Sequence, residues 1–213
     1  MAALTIPWVP FPLTAEGHPP VAYRIEPDGL VLTAAGGTDL FVDPAGAGQL
    51  PDAGRLVGVP PTGDFRLVAR VTVEFASKYD AGVLVLQAGE RNWAKLCFEL
   101  SPQLTPMAVT VVTRGTSDDC NSFEVDSDSL WLRMTRSGAA WAFHASNDGS
   151  WWRLLRYFSL GAALEREPTA VPREVSDVRV GFLAQSPAGQ GCAVTFAQIS
   201  FGSGAPSDLR DGS

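Results

Sequence analysis

At 213 residues, 46% apolar and 18% charged, the chain has the length and apolar content to bury a core, which excludes it from the disordered class. A net charge of −7 without any run of Lys or Arg excludes an extended nucleic-acid or anionic-membrane surface, because such surfaces need clustered cations to neutralise phosphates. Cys97, Cys120 and Cys192 are scattered and lack metal-ligand spacing, so a disulfide framework and a structural zinc site are not expected; free thiols fit a reducing cytoplasm.

Residues 1–13 contain Pro7, Pro10 and Pro12 and no basic leader, so no secretory signal is expected there. The apolar run 107–112 ends at Thr113 and Arg114, far short of the ~20 residues of a spanning helix. A soluble, cytoplasmic protein is the expectation. The first predicted strand is 29–33, and residues 43–54, rich in Gly, Ala and Pro, read as a long loop. The strongest signal follows at 64–75, where Phe65, Leu67, Ala69, Val71, Val73 and Phe75 alternate with Arg66, Arg70, Thr72 and Glu74, as one buried strand face requires. Further strands are predicted at 82–88, 93–100, 107–113, 130–136, 141–146, 152–159, 178–185 and 193–201, which makes about ten. Turn residues at 89–92, 137–138, 147–149 and 187–191 join most of them as hairpins. A single helical turn at 161–166 is the one predicted helix, so parallel crossovers are not expected. The reading is one all-β domain, a two-sheet antiparallel sandwich over residues 1–202, with 203–213 as a flexible tail.

Alternation in the 93–100 strand puts Ala94, Leu96, Phe98 and Leu100 on a core face and Trp93, Lys95, Cys97 and Glu99 on the other. An aromatic plate, an ammonium and a carboxylate in one row suit a polar ligand, since the ring stacks on apolar faces while the charges orient hydroxyls. The alternative is a solvated face whose charges pair across strands. Residues 114–121 form the densest polar cluster and read as a loop capped by Asx side chains; Asp118, Asp119 and Asn121 could offer oxygen to Ca²⁺, but without EF-hand spacing. Glu124, Asp126 and Asp128 alternate as the acid and nucleophile of glycoside hydrolysis can. They resemble the Glu-x-Asp-x-Glu signature of laminarinase-like and lichenase-like glycosidases, with Asp128 in place of the last Glu, and the serines around them read as an exposed loop. His18 reads as a loop residue and His144 as an ordinary strand histidine; no Gly-x-Ser-x-Gly elbow supports a nucleophile, and residues 46–48 lack a phosphate-binding Lys.

Tyr79-Asp80-Ala81-Gly82-Val83-Leu84, then Asn92-Trp93-Ala94-Lys95 and Glu99, resemble a concanavalin A-like family known as domain of unknown function 1349. The resemblance continues through Val111-Val112-Thr113-Arg114-Gly115, Ser117-Asp118, Leu130-Trp131-Leu132-Arg133, Ser146-Asn147-Asp148-Gly149 with Trp152, and Gly181-Phe182 with Ser186-Pro187, covering about residues 8–201. Asp119 follows where members often carry Trp, and Cys97 stands where Gly is common. The resemblance implies a concanavalin A-like jelly roll with one convex and one concave sheet, and it extends to a fungal protein named for regulation of enolase. The expected function is a non-catalytic domain that binds a carbohydrate or polyhydroxylated metabolite through Trp93, Lys95, Glu99, Ser117, Asp118 and Arg133, with no metal or cofactor. Two alternatives stand beside it: a glycoside hydrolase or lyase using Glu99, Asp118 or the 124–128 carboxylates, and a protein-interaction or metabolic regulatory module.

Overall fold

The computed structural model describes residues 3–50, 52–160 and 178–213. The helical turn expected at 161–166 lies outside the described residues. In chain order the first strands are β1 (Thr14–Glu16), β2 (Ala22–Glu26), β3 (Gly29–Thr33), β4 (Arg55–Gly58), β5 (Phe65–Val73), β6 (Ala81–Gly89) and β7 (Asn92–Leu100). The rest are β8 (Pro106–Arg114), β9 (Thr116–Glu124), β10 (Ser129–Ser137), β11 (Ala140–Ser146), β12 (Arg153–Phe158), β13 (Arg179–Gln185) and β14 (Ala193–Ser203). They form two seven-stranded antiparallel sheets, ordered β1-β4-β13-β6-β7-β8-β9 and β12-β11-β10-β5-β14-β3-β2. The all-β, concanavalin A-like sandwich expected from the sequence is the architecture observed.

Alternation builds the core. In β5 the side chains of Phe65, Leu67, Ala69, Val71 and Val73 are buried toward the opposite sheet, and in β7 Ala94, Leu96 and Phe98 meet them from the other side. At about 25 cal/mol per Å² of apolar surface removed from water, this layer is the main stabilising term. β6 departs from alternation: Ala81 to Gln87 is buried without interruption. A strand apolar on both faces needs cover on both. The second cover is a strap from Gly36 to Val42, whose Leu40 and Val42 pack with Val83, Val85, Trp93, Cys97, Val109, Val111 and Leu183 on the outer face of the first sheet.

Four strands escaped the sequence reading: β1, β2, β4 and β9. The polar segment 114–121, expected as a loop, is mostly β9, paired antiparallel to β8 from Arg114↔Thr116 to Met107↔Glu124 around a bulge at Ala108 and Val109. Its run of Asp, Ser and Asn has poor strand propensity, yet it lies at a sheet edge, where polar and charged side chains discourage pairing with another chain. The segment from Ser203 onward, expected as a flexible tail, has partners in the structure: Leu209 and Gly212 offer carbonyl oxygens to His144 Nε2 and Arg133 Nη2 at 2.7 and 2.8 Å.

Candidate functional site

The register across the first sheet lines up Val85, Lys95, Val111 and Asp119 in one row, Val83, Cys97, Val109 and Asn121 in the next, and Ala81, Glu99 and Met107 in a third. Period two points all of them to the outer face. The strap crosses this face, bonded to Ser186 at one end through Gly37 N–H and to Ser117 at the other. It covers one part of the sheet and leaves a cavity of about 380 Å³ beside it. Asp39, Phe41, Tyr79, Lys95, Glu99, Asp119 and Gln185 are among its lining residues.

Lys95 lies at the bottom, 2% exposed, and its Nζ donates to Asp39 Oδ1 at 3.1 Å and Gln185 Oε1 at 2.9 Å. An ammonium has three donors, so one remains for a ligand. Burial pulls the Lys95 pKa down, but Asp39, Cys97 and Glu99 outweigh it and hold the ammonium above its ordinary value. Glu99 shows the opposite balance. Desolvation, reinforced by Asp39 and Asp119 against the pull of Lys95, pushes its carboxyl up to about 8. At neutral pH Glu99 is therefore a neutral acid that can donate a hydrogen bond into the cavity. Asp119 is raised too, mainly by desolvation. The Cys97 thiol is buried and pushed well up, so it stays protonated and unreactive.

Tyr79 reaches the rim from a backbone with φ of 70°, a left-handed conformation that costs a non-glycine residue roughly 1 kcal/mol or more. The following residue holds it there. Asp80, fully buried, accepts from Ala76 and Ser77 N–H and from Ser186 Oγ at 2.6 Å, closing the turn. The same Ser186 anchors the strap, so one buried carboxylate sets both walls.

Of the six residues expected to bind ligand, the structure brings Lys95 and Glu99 together in this cavity. Trp93 shares their face but is 1% exposed, buried in the cluster with Leu40 and Val42, and its ring lies 5.9 Å from Lys95 Nζ. Ser117 is buried and structural: its Oγ accepts from Val42 N–H at 2.9 Å and shares a 2.8 Å bond with Thr113 Oγ1. Ser117→Ala leaves Val42 N–H unpaired and is expected to cost about 1–3 kcal/mol in urea unfolding. Asp118 points the other way and pairs at 2.8 Å with Arg156 of β12, in the second sheet. Arg133 belongs to the second sheet and lies against Trp152.

The 124–128 carboxylates are exposed at the end of β9 and do not line the cavity. Sequence reasoning missed Asp39, Phe41, Tyr79 and Gln185. The apolar triplet Leu40-Phe41-Val42 inside a loop was the available signal, because three adjacent apolar side chains need a surface to cover. No group of three or more His, Cys, Asp or Glu residues with metal-binding geometry occurs among the described residues.

Residues 17–203 match the family model described as a protein of unknown function (DUF1349). No curated protein matches. A functionally unknown protein from Saccharomyces cerevisiae superposes with a TM-score of 0.71 at 23% identity, over 86% of this chain and 92% of that one. The GH43 protein BlXynB from Bacillus licheniformis gives 0.64 at 14% identity over 91% of this chain, which spans 37% of that chain. The carbohydrate binding module CBM66 from Bacillus subtilis gives 0.52 at 10% identity, over 92% of this chain and 98% of that one. At these identities the likeness is one of fold.

Proposed function

This chain belongs to the DUF1349 family, and we propose that it is a non-catalytic carbohydrate-binding domain whose site is the cavity between the strap and the outer face of the first sheet. The observation that carries this reading is the convergence of a buried ammonium with a spare donor, a carboxyl raised to about 8 and two rings, Phe41 and Tyr79, in one open cavity. Rings stack against the C–H faces of a sugar, while a charged donor, a neutral acid and two further carboxyl groups, Asp39 and Asp119, read its hydroxyls. A carbohydrate binding module with the same fold supports the reading by analogy. Three unpaired thiols motivate our placement of the protein in the cytoplasm.

Calorimetric titration of neutral mono- and oligosaccharides tests the site. Phe41→Ser and Glu99→Ala are each expected to weaken the best ligand about tenfold, a loss of about 1.4 kcal/mol, whereas Glu99→Gln, whose amide N–H still donates, is expected to keep the affinity. Affinity is expected to fall as pH rises through about 8, when Glu99 ceases to donate. Binding that Phe41→Ser and Glu99→Ala both leave intact would move the site elsewhere.

One observation favours a second reading, a glycoside hydrolase: Glu99, Asp39 and Asp119 share the cavity, and a raised carboxyl beside other carboxylates is the arrangement of a general acid with its partner. Glu99→Gln separates the two. A hydrolase variant would keep substrate and lose reducing-sugar release; a binding domain has no release to lose.

A further inference from the structure

The outer face of the second sheet, on the other side of the molecule, holds a cavity of about 330 Å³ that the Lys95 site does not involve. Leu130, Leu132 and Met134 of β10 face the core, so Trp131, Arg133 and Thr135 face outward. Arg66, Val68, Trp131, Arg133, Trp152 and Ser200 line the cavity, and no carboxylate does. In a chain of net charge −7, a cavity walled by two arginines and two tryptophans without a counter-ion is an unusual concentration of uncompensated positive charge.

Arg133 is 5% exposed; its guanidinium lies 4.4 Å from the Trp152 ring centre and its Nη2 donates to Gly212 O, yet its Nε has no partner. Arg66 Nη2 donates to Ser203 O at 3.3 Å. Neither makes an ion pair among the described residues. Desolvation, then repulsion from Arg66, lowers the Arg133 pKa to about 10, with no acidic group acting against them. The oxygens that the two guanidinium groups do meet are the main-chain carbonyls of Gly212 and Ser203. Thr135 Oγ1 and His144 Nδ1, the latter on the residue paired with Arg133, are buried without partners on the same face. A buried polar atom left unpaired costs free energy, and of these atoms Arg133 Nε belongs to a residue that lines the cavity.

We propose that this cavity is a second binding site, for an acidic sugar whose ring lies against Trp131 and Trp152 and whose carboxylate or phosphate is held between Arg66 and Arg133. Guanidinium forks match both oxyanions, and aromatic walls suit a sugar ring.

Titration calorimetry on the full chain, with glucuronate, a hexose phosphate, glucose and inorganic phosphate as separate probes, tests the site. Glucuronate or the hexose phosphate is expected to bind at least about tenfold more tightly than glucose, and more weakly at high salt. The tighter of the two identifies the anion as carboxylate or phosphate. Arg66→Gln, at a half-buried surface position, is expected to weaken that ligand about tenfold with an unchanged circular dichroism spectrum. Glu99→Ala is expected to leave this affinity unchanged, which separates this site from the Lys95 cavity. Equal affinity for glucose and both acids, inorganic phosphate binding as tightly as the hexose phosphate, or no loss with Arg66→Gln would each overturn the proposal.

Discussion

Lys95→Met is expected to destabilise the fold by about 3 kcal/mol, the lower end of the cost of breaking a buried ion pair from one side. The loss comes from what remains. Asp39, its side chain 19% exposed, loses its ammonium partner, and Gln185 Oε1 loses its 2.9 Å donor. The partial exposure of Asp39 holds the effect at the lower end of that range. Lys95→Met combined with Asp39→Asn removes both charges and is expected to recover most of the loss, because a neutral pair needs no counter-ion. Chemical denaturation of the four proteins in the double-mutant cycle measures the coupling. If Lys95→Met alone unfolds at the wild-type midpoint, the ammonium is not held as described.

Glu99→Gln is expected to stabilise the protein at alkaline pH, by on the order of 5 kcal/mol if the whole shift from 4.5 to about 8 is expressed, since each unit is worth about 1.4 kcal/mol. The sign follows from proton counting. Below about pH 4.5 Glu99 is protonated in folded and unfolded chains alike and contributes no pH dependence. Between about 4.5 and 8 the unfolded chain has released its proton while the folded chain retains it, so stability falls as pH rises. Above about 8 both forms are ionised and the loss is complete. Urea unfolding across this range is expected to show a steeper decline for wild type than for Glu99→Gln. Parallel curves would mean that Glu99 titrates like an exposed carboxylate.

His144 shows how a strand histidine depends on its surroundings. The sequence places it in β11, and it is there, but fully buried, with its pKa lowered to about 4, chiefly by desolvation. Its acceptor, Leu209 O, comes from a segment 65 residues away. No local pattern carries that contact. Trp93 makes the same point for the candidate site. Its face was legible from alternation, because Ala94, Leu96 and Phe98 could share one side of a strand only if Trp93, Lys95 and Glu99 shared the other. Its exposure was not, because burial of that face depends on the strap.

By itself the sequence determined the sandwich, most strand positions and the face that carries Lys95 and Glu99, since side-chain alternation and turn chemistry are local and have a fixed period. Only the tertiary structure decided which of those outward residues see solvent, that Asp39, Phe41, Tyr79 and Gln185 join them, and that Arg133 looks out from the opposite sheet. The physical reason is that a pocket is made by segments far apart in the chain: Asp39 and Gln185 meet Lys95 from 56 and 90 residues away. Hydrogen bonds and burial across such separations are set by how the sheets and the strap pack, and residue periodicity carries no record of them.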